Sequence, residues 1–159
     1  PYNRLVAAPG VTRETLEDRL KGAFEIEALE VVTYQPERVH EIGLYIDGVW
    51  LKLSPREGSY DESNAAEAID SDIVQRHIFA DFLGIEDPRA KELTFVGGHR
   101  DAAYLKSEVD AGRHDLAVTL APVTIEQFIE VCRQNRIMPP KSTWFQPKIR
   151  SGLVMALLG

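Results

Sequence analysis

Short apolar runs separated by turn-forming residues set the pattern of this chain. Ile42-Gly43-Leu44-Tyr45-Ile46 and Val49-Trp50-Leu51-Lys52-Leu53 flank Asp47-Gly48, a pairing of residue types that predicts a tight β-hairpin. Ahead of it, Pro1-Tyr2-Asn3-Arg4-Leu5-Val6 reads as a short extended entry that ends in a Pro9-Gly10 turn. Thr12 can then cap a helix over about 13–21, with Leu16 and Leu20 on one face and Gly22 as its stop. Residues 24–33 are apolar-rich and fit a strand without a clear period, and Pro36 breaks the pattern.

Residues 54–68 are polar and contain Pro, Gly and Ser, which predicts a surface loop. A helix starts at Asp70 or Ser71 and runs to about 83, with Ile73, Val74, Ile78, Phe82 and Leu83 inward and Gly84 at its end. Leu93-Thr94-Phe95-Val96 predicts a buried strand, followed by a helix over about 101–111 and a further strand over 115–120. Val123-Thr124-Ile125-Glu126-Gln127-Phe128 carries both a capping box (Thr124, Gln127) and a hydrophobic staple (Val123, Phe128). The helix it opens reaches about 135 and is expected to bury Ile125, Phe128, Ile129 and Cys132. Gly152-Leu153-Val154-Met155-Ala156-Leu157-Leu158 predicts a final strand. The order implies an α+β fold in two layers, with a mixed sheet in which strands 93–96 and 115–120 are parallel neighbours.

At 159 residues, 44% hydrophobic and 27% charged, the chain has the makings of one globular domain with a real core. It lacks the roughly 18-residue apolar run of a membrane span and has no signal-peptide pattern. A single cysteine, Cys132, excludes an internal disulfide and fits a reducing, cytoplasmic setting. The chain opens at Pro1 rather than Met, which suggests a piece of something longer.

Charge changes the picture at one end. The net charge is −7, yet no acid follows Glu130, while Arg133, Arg136, Lys141, Lys148 and Arg150 are all basic. A local basic segment on an acidic domain suits a small anionic partner and weighs against nucleic acid, which needs a broad basic surface. Most of these cations fall in Met138-Pro139-Pro140-Lys141-Ser142-Thr143-Trp144-Phe145-Gln146-Pro147-Lys148-Ile149-Arg150-Ser151-Gly152, a stretch with no helical or alternating period. Its prolines stiffen the loop, so Lys141, Lys148 and Arg150 can be held together at little entropic cost. Lys141-Ser142-Thr143 is not a P-loop, because Pro139 and Pro140 lack N–H groups and no helix is expected after it. Side chains must therefore hold any anion, with Ser142 and Thr143 as hydroxyl donors. The competing reading is that these cations pair with the domain's own acids.

Gly97-Gly98-His99-Arg100 joins a strand to a helix, where bare backbone can approach a ligand. Taken alone, the Gly-Gly pair is a weak signal and a tight strand-to-helix turn is its plainer explanation. Arg100 at a helix start opposes the macrodipole, which suggests an acid or a bound anion beside it. His40, His77, His99 and His114 show no metal-ligand spacing, and one cysteine rules out the usual structural zinc site. No serine lies in a nucleophile elbow, and Cys132 belongs by pattern to a buried helix face. Trp50 is expected to pack within the hairpin, and Trp144 to pin the proline loop to the core or stack on a planar ligand.

The run Met138 to Phe145, then Pro147-Lys148 and Arg150-Ser151-Gly152-Leu153, resembles the C-terminal signature of the bacterial and archaeal family called domain of unknown function 1015, whose members are often labelled ParB-like. Pro1-Tyr2-Asn3-Arg4, Asp87-Pro88-Arg89 and Phe95-Val96-Gly97-Gly98 are similar to family segments in the same order. The resemblance implies that this chain is the C-terminal half of a longer protein. It implies too that an Asp-Gly-His-His-Arg motif of ParB/sulfiredoxin type, with any nucleotide, lies in a missing N-terminal half. Gly97-Gly98-His99-Arg100 is only superficially like that motif, and the chain departs from the family pattern at Ala90 and His99.

The functional expectation is a cytoplasmic domain that supplies a phosphate- or carboxylate-binding loop to a small-molecule enzyme, such as a serine kinase of the ParB/sulfiredoxin-like kind. Its anion-binding residues are Lys141, Ser142, Thr143, Lys148, Arg150, Gly97, Gly98 and Arg100, and it has neither a metal site nor a cofactor of its own. The chain alone is expected to be inactive. The alternative is a non-catalytic module packing on the N-terminal half or on a second copy of itself.

Overall fold

The computed structural model describes residues 2–143, which build one six-stranded sheet flanked by helices. In chain order the elements are β1 (Tyr2–Val6), α1 (Arg13–Leu20), β2 (Phe24–Leu29), β3 (Ile42–Ile46), β4 (Val49–Pro55) and α2 (Asp70–Val74). A π-helical continuation (Gln75–Phe82) leads on to β5 (Leu93–Gly97), α3 (Ala102–Asp110), β6 (Leu116–Leu120) and α4 (Ile125–Arg133). The fold is α+β, with strand order β2-β4-β3-β6-β1-β5.

Local chemistry explains the elements that were expected. At the hairpin tip Asp47 and Gly48 have φ of 50° and 79°, the two positive values a two-residue type I′ turn demands. Asp47 Oδ2 also accepts from the Arg13 backbone N–H at 2.7 Å, tying the turn to the start of α1. Thr12 caps α1 in a reciprocal capping box with Thr15, and Thr124 caps α4 with Gln127. The expected helix over 70–83 divides: its second half is a π-helix, marked by the bond from Leu83 N to Ile78 O at 3.0 Å.

Three expectations about the fold are corrected. First, every pairing is antiparallel, so the sheet is not mixed. β5 and β6 do run parallel, but β1 lies between them and pairs antiparallel with both. The segment read as an extended entry is thus an interior strand. Second, helices cover both faces, giving three layers rather than two. Leu16, Leu20, Ile73, Val74, Ile78 and Phe79 pack on Val6, Leu44 and Val118, whereas Ala102 and Leu105 of α3 pack on Leu5, Tyr45 and Ala117. The physical reason lies in β3 and β6, whose five residues are each buried throughout; only a strand covered on both sides has that character.

Third, α4 turns its apolar stripe outward. Ile125, Phe128 and Ile129 are 67%, 39% and 42% exposed and Cys132 is exposed, while Val131 alone in the helix is fully buried. Gln134 fixes that orientation by accepting from Ala65 N at 2.9 Å and donating to Ser63 O at 3.1 Å. The predicted strand over 152–158 lies outside the described residues.

Candidate anion-binding site

The register of β1 gathers the ends of several strands. Tyr2 stands opposite Gly97 and Arg4 opposite Val118, so the start of β1, the end of β5 and the end of β6 share one end of the sheet. Asn3 ties that end together: its Oδ1 accepts from Leu120 N at 3.1 Å and its Nδ2 donates to Gln35 Oε1 at 3.0 Å. Gln35 Nε2 in turn donates to Leu120 O at 2.7 Å.

The proline loop returns to the same place. Ser142 N donates to Pro139 O at 3.3 Å, closing a turn in which Lys141 adopts φ 55°. That turn aims the Lys141 carbonyl at Arg4 Nη2, which donates to it at 3.2 Å, and sets Lys141 Nζ 5.5 Å from the centroid of the Tyr2 ring. Ser142 is buried and Thr143 half-buried.

Arg4 is the residue that sequence reading missed. Its guanidinium is fully buried; Nη1 donates to the Tyr2 carbonyl, Nη2 to Lys141, and the plane lies against Phe95. Among the described residues no carboxylate pairs with it or with Lys141. Nor does the sequence hold an acidic side chain beyond Glu130 that could reach back. Burial pushes the Arg4 pKa down to about 10. Desolvating an ion without a partner costs several kcal/mol, on the order of the net stability of a small domain. The available signal was a charged residue inside a strand, between Tyr2 and Val6, at an inward position.

Gly97 and Gly98 lie at this same sheet end. Gly97 is buried opposite Tyr2 and its carbonyl accepts from Arg100 N at 3.1 Å; Gly98 is exposed. Arg100 is directed elsewhere. Its guanidinium lies over Tyr104 in the first turn of α3, 4.4 Å from the centroid, and its charge helps hold Glu108 below the usual carboxylate range after the larger effect of Arg113. Of the sequence-predicted set, Lys141 meets Arg4 and Tyr2, with Ser142 and Thr143 next to it in the chain, and Gly97 stands opposite Tyr2 at the same sheet end, while Arg100 faces Tyr104. Lys148, Arg150 and Trp144 lie outside the described residues.

Among the described residues no cluster of three or more His, Cys, Asp or Glu is placed to hold a metal ion, and no helix is long and apolar enough to cross a membrane. No protein-family model, curated protein or solved structure matches this chain.

Proposed function

We propose that this domain binds a small molecule through its phosphate or carboxylate group, at the sheet end formed by Arg4, Lys141, Ser142 and Thr143. One observation carries the reading: a fully buried guanidinium has no carboxylate partner among the described residues and lies beside a lysine that also has none. A bound anion would supply the missing charge, and charge-assisted hydrogen bonds from Arg and Lys are the strong kind. Lys148 and Arg150 follow close behind in sequence and lie outside the described residues. Any catalysis would be by positioning and charge stabilisation. Under the resemblance to the ParB-like family, nucleotide and catalytic base come from a preceding half of a cytoplasmic small-molecule enzyme, and this chain alone turns nothing over.

Calorimetric titration of inorganic phosphate, ATP and phosphoserine into wild type, Lys141→Ala and Arg4→Met tests this. The expected result is binding of at least one anion by wild type, weakened about 10- to 100-fold by Lys141→Ala, the loss of one charge-assisted bond. Binding that is equal in all three proteins, or absent from all three, overturns it.

A second reading, a non-catalytic interaction module, is favoured by the outward stripe of Ile125, Phe128, Ile129 and Cys132. Self-association in sedimentation that disappears with Phe128→Lys supports this module; a monomer at every concentration argues against pairing with a second copy.

A further inference from the structure

A second cluster stands apart from the Arg4 site. Asp70, buried at the first position of α2, accepts from the backbone N–H of His40 with both oxygens at 3.1 Å, and its Oδ1 faces His40 Nδ1 at 2.9 Å. His40 reaches this geometry only with φ 65°, a left-handed conformation that costs a residue bearing a Cβ. Its other ring nitrogen, Nε2, lies 3.1 Å from the Tyr60 hydroxyl, and the two rings are 4.9 Å apart. A carboxylate on Nδ1 holds the proton there and leaves the Nε2 lone pair to accept from the phenol. The imidazole is still about a third exposed at its side chain (35%).

The surroundings differ from those of an ordinary loop tie. Ser59 and Ser71, the sequence neighbours of Tyr60 and Asp70, each have a buried hydroxyl with no hydrogen-bond partner among the described residues. Orphaned hydroxyls are uncommon in native interiors and call for a ligand or a water. The π-helical turns that follow Val74 are a form often found at functional sites.

We propose that Tyr60, His40 and Asp70 form a proton relay serving a ligand that carries a hydroxyl group. In the forward step the ligand O–H bond breaks as its proton passes to Tyr60 Oη. The phenolic proton moves at the same time to His40 Nε2. The products are a ligand alkoxide, a neutral phenol and an imidazolium facing Asp70; the reverse step resets them. No free phenolate accumulates, in keeping with a Tyr60 pKa raised by burial and by Glu62 and Asp70. The relay stands on its own geometry and does not depend on the anion site.

Acetylation by N-acetylimidazole, mapped by mass spectrometry, reads out this relay. Tyr60 is expected to react about 10-fold faster than Tyr104 near neutral pH, and the advantage should vanish in Asp70→Asn and in His40→Gln. The groups facing the imidazole are Asp70 and Tyr60, with Glu62 acting on the phenol, so its titration can be followed separately by NMR through the ring Hε1 proton. In wild type the Tyr60 rate should follow that His40 titration, and 15N spectra should show the proton on Nδ1. A rate that tracks simple phenol ionisation, a proton on Nε2, or equal labelling in wild type and Asp70→Asn each overturns the proposal and leaves a structural latch. The wild-type measurements decide the matter if either variant fails to fold.

Discussion

The Arg4 guanidinium lies 5.2 Å from the centroid of the Phe95 ring, its register partner across the β1–β5 pair. Cation–π attraction of this kind contributes about 0.5–2 kcal/mol. That is too little to offset burial of the charge.

Replacing Arg4 with Met keeps the bulk and removes a buried charge that has no carboxylate partner among the described residues. In buffer free of multivalent anions, Arg4→Met should melt within about 1 kcal/mol of wild type or above it, as buried ions replaced by apolar groups often do. Saturating phosphate, at about 100 times its dissociation constant, should stabilise wild type by about 2.7 kcal/mol and leave the variant unmoved. A loss above about 3 kcal/mol in the absence of ligand would show that Arg4 is already satisfied within the chain.

Tyr45 anchors α3. Its hydroxyl donates to Asp110 Oδ1 at 2.6 Å and accepts from Lys106 Nζ at 2.8 Å. Tyr45→Phe should cost about 1 kcal/mol in urea denaturation at neutral pH. Asp110 is held below the ordinary carboxylate range by its bond from Lys106 and then by that from Tyr45. A carboxylate with a depressed folded pKa stabilises above its unfolded pKa, and the effect is lost as pH falls through the folded value. The gap between variant and wild type should therefore narrow on acidification; a gap that widens contradicts the assignment.

Gly43 tolerates no side chain. A Cβ there would collide with Thr119 Oγ1 and lie 2.8 Å from Tyr34 Cδ1. Thr119 cannot easily turn away, because its hydroxyl donates to Tyr34 O at 3.0 Å. Gly43→Ala should destabilise by about 1–3 kcal/mol through overpacking, measured by thermal melting. A neutral result would mean that the 34–41 segment yields freely.

Two substitutions on α4 should behave oppositely. Val131→Ala removes a fully buried side chain and should cost about 2 kcal/mol. Phe128→Ser, one turn earlier on the open face, should stay within about 0.5 kcal/mol of wild type. Equal losses at both positions would show that the outward stripe is covered in solution.

These contrasts track what the sequence could convey. Turn and capping chemistry is local, so Asp47-Gly48, Thr12 and Thr124 placed the hairpin and two helix starts correctly. Burial is a relation between elements, and α4 shows the consequence: its period identified an apolar stripe but not whether anything faces it. The register of β1 depends on residues about ninety or more positions away, so five residues holding both Asn3 and Arg4 read as a lead-in. The candidate site was legible at Lys141 and Ser142 because charge and proline were concentrated there. Arg4 and the His40–Asp70 pair, assembled by tertiary contacts, were not.

The place of β1 between β5 and β6 also sets an order of events. A strand present within the first six residues stays without either of its neighbours until residues 93–97 and 116–120 have been made. During synthesis that leaves Leu5 and Val6 wet while most of the domain is already outside the ribosome, a long wait for a segment whose pairings span the molecule. Closure of the sheet is then a late, single insertion, and β1 is the strand of this domain that waits longest for its neighbours.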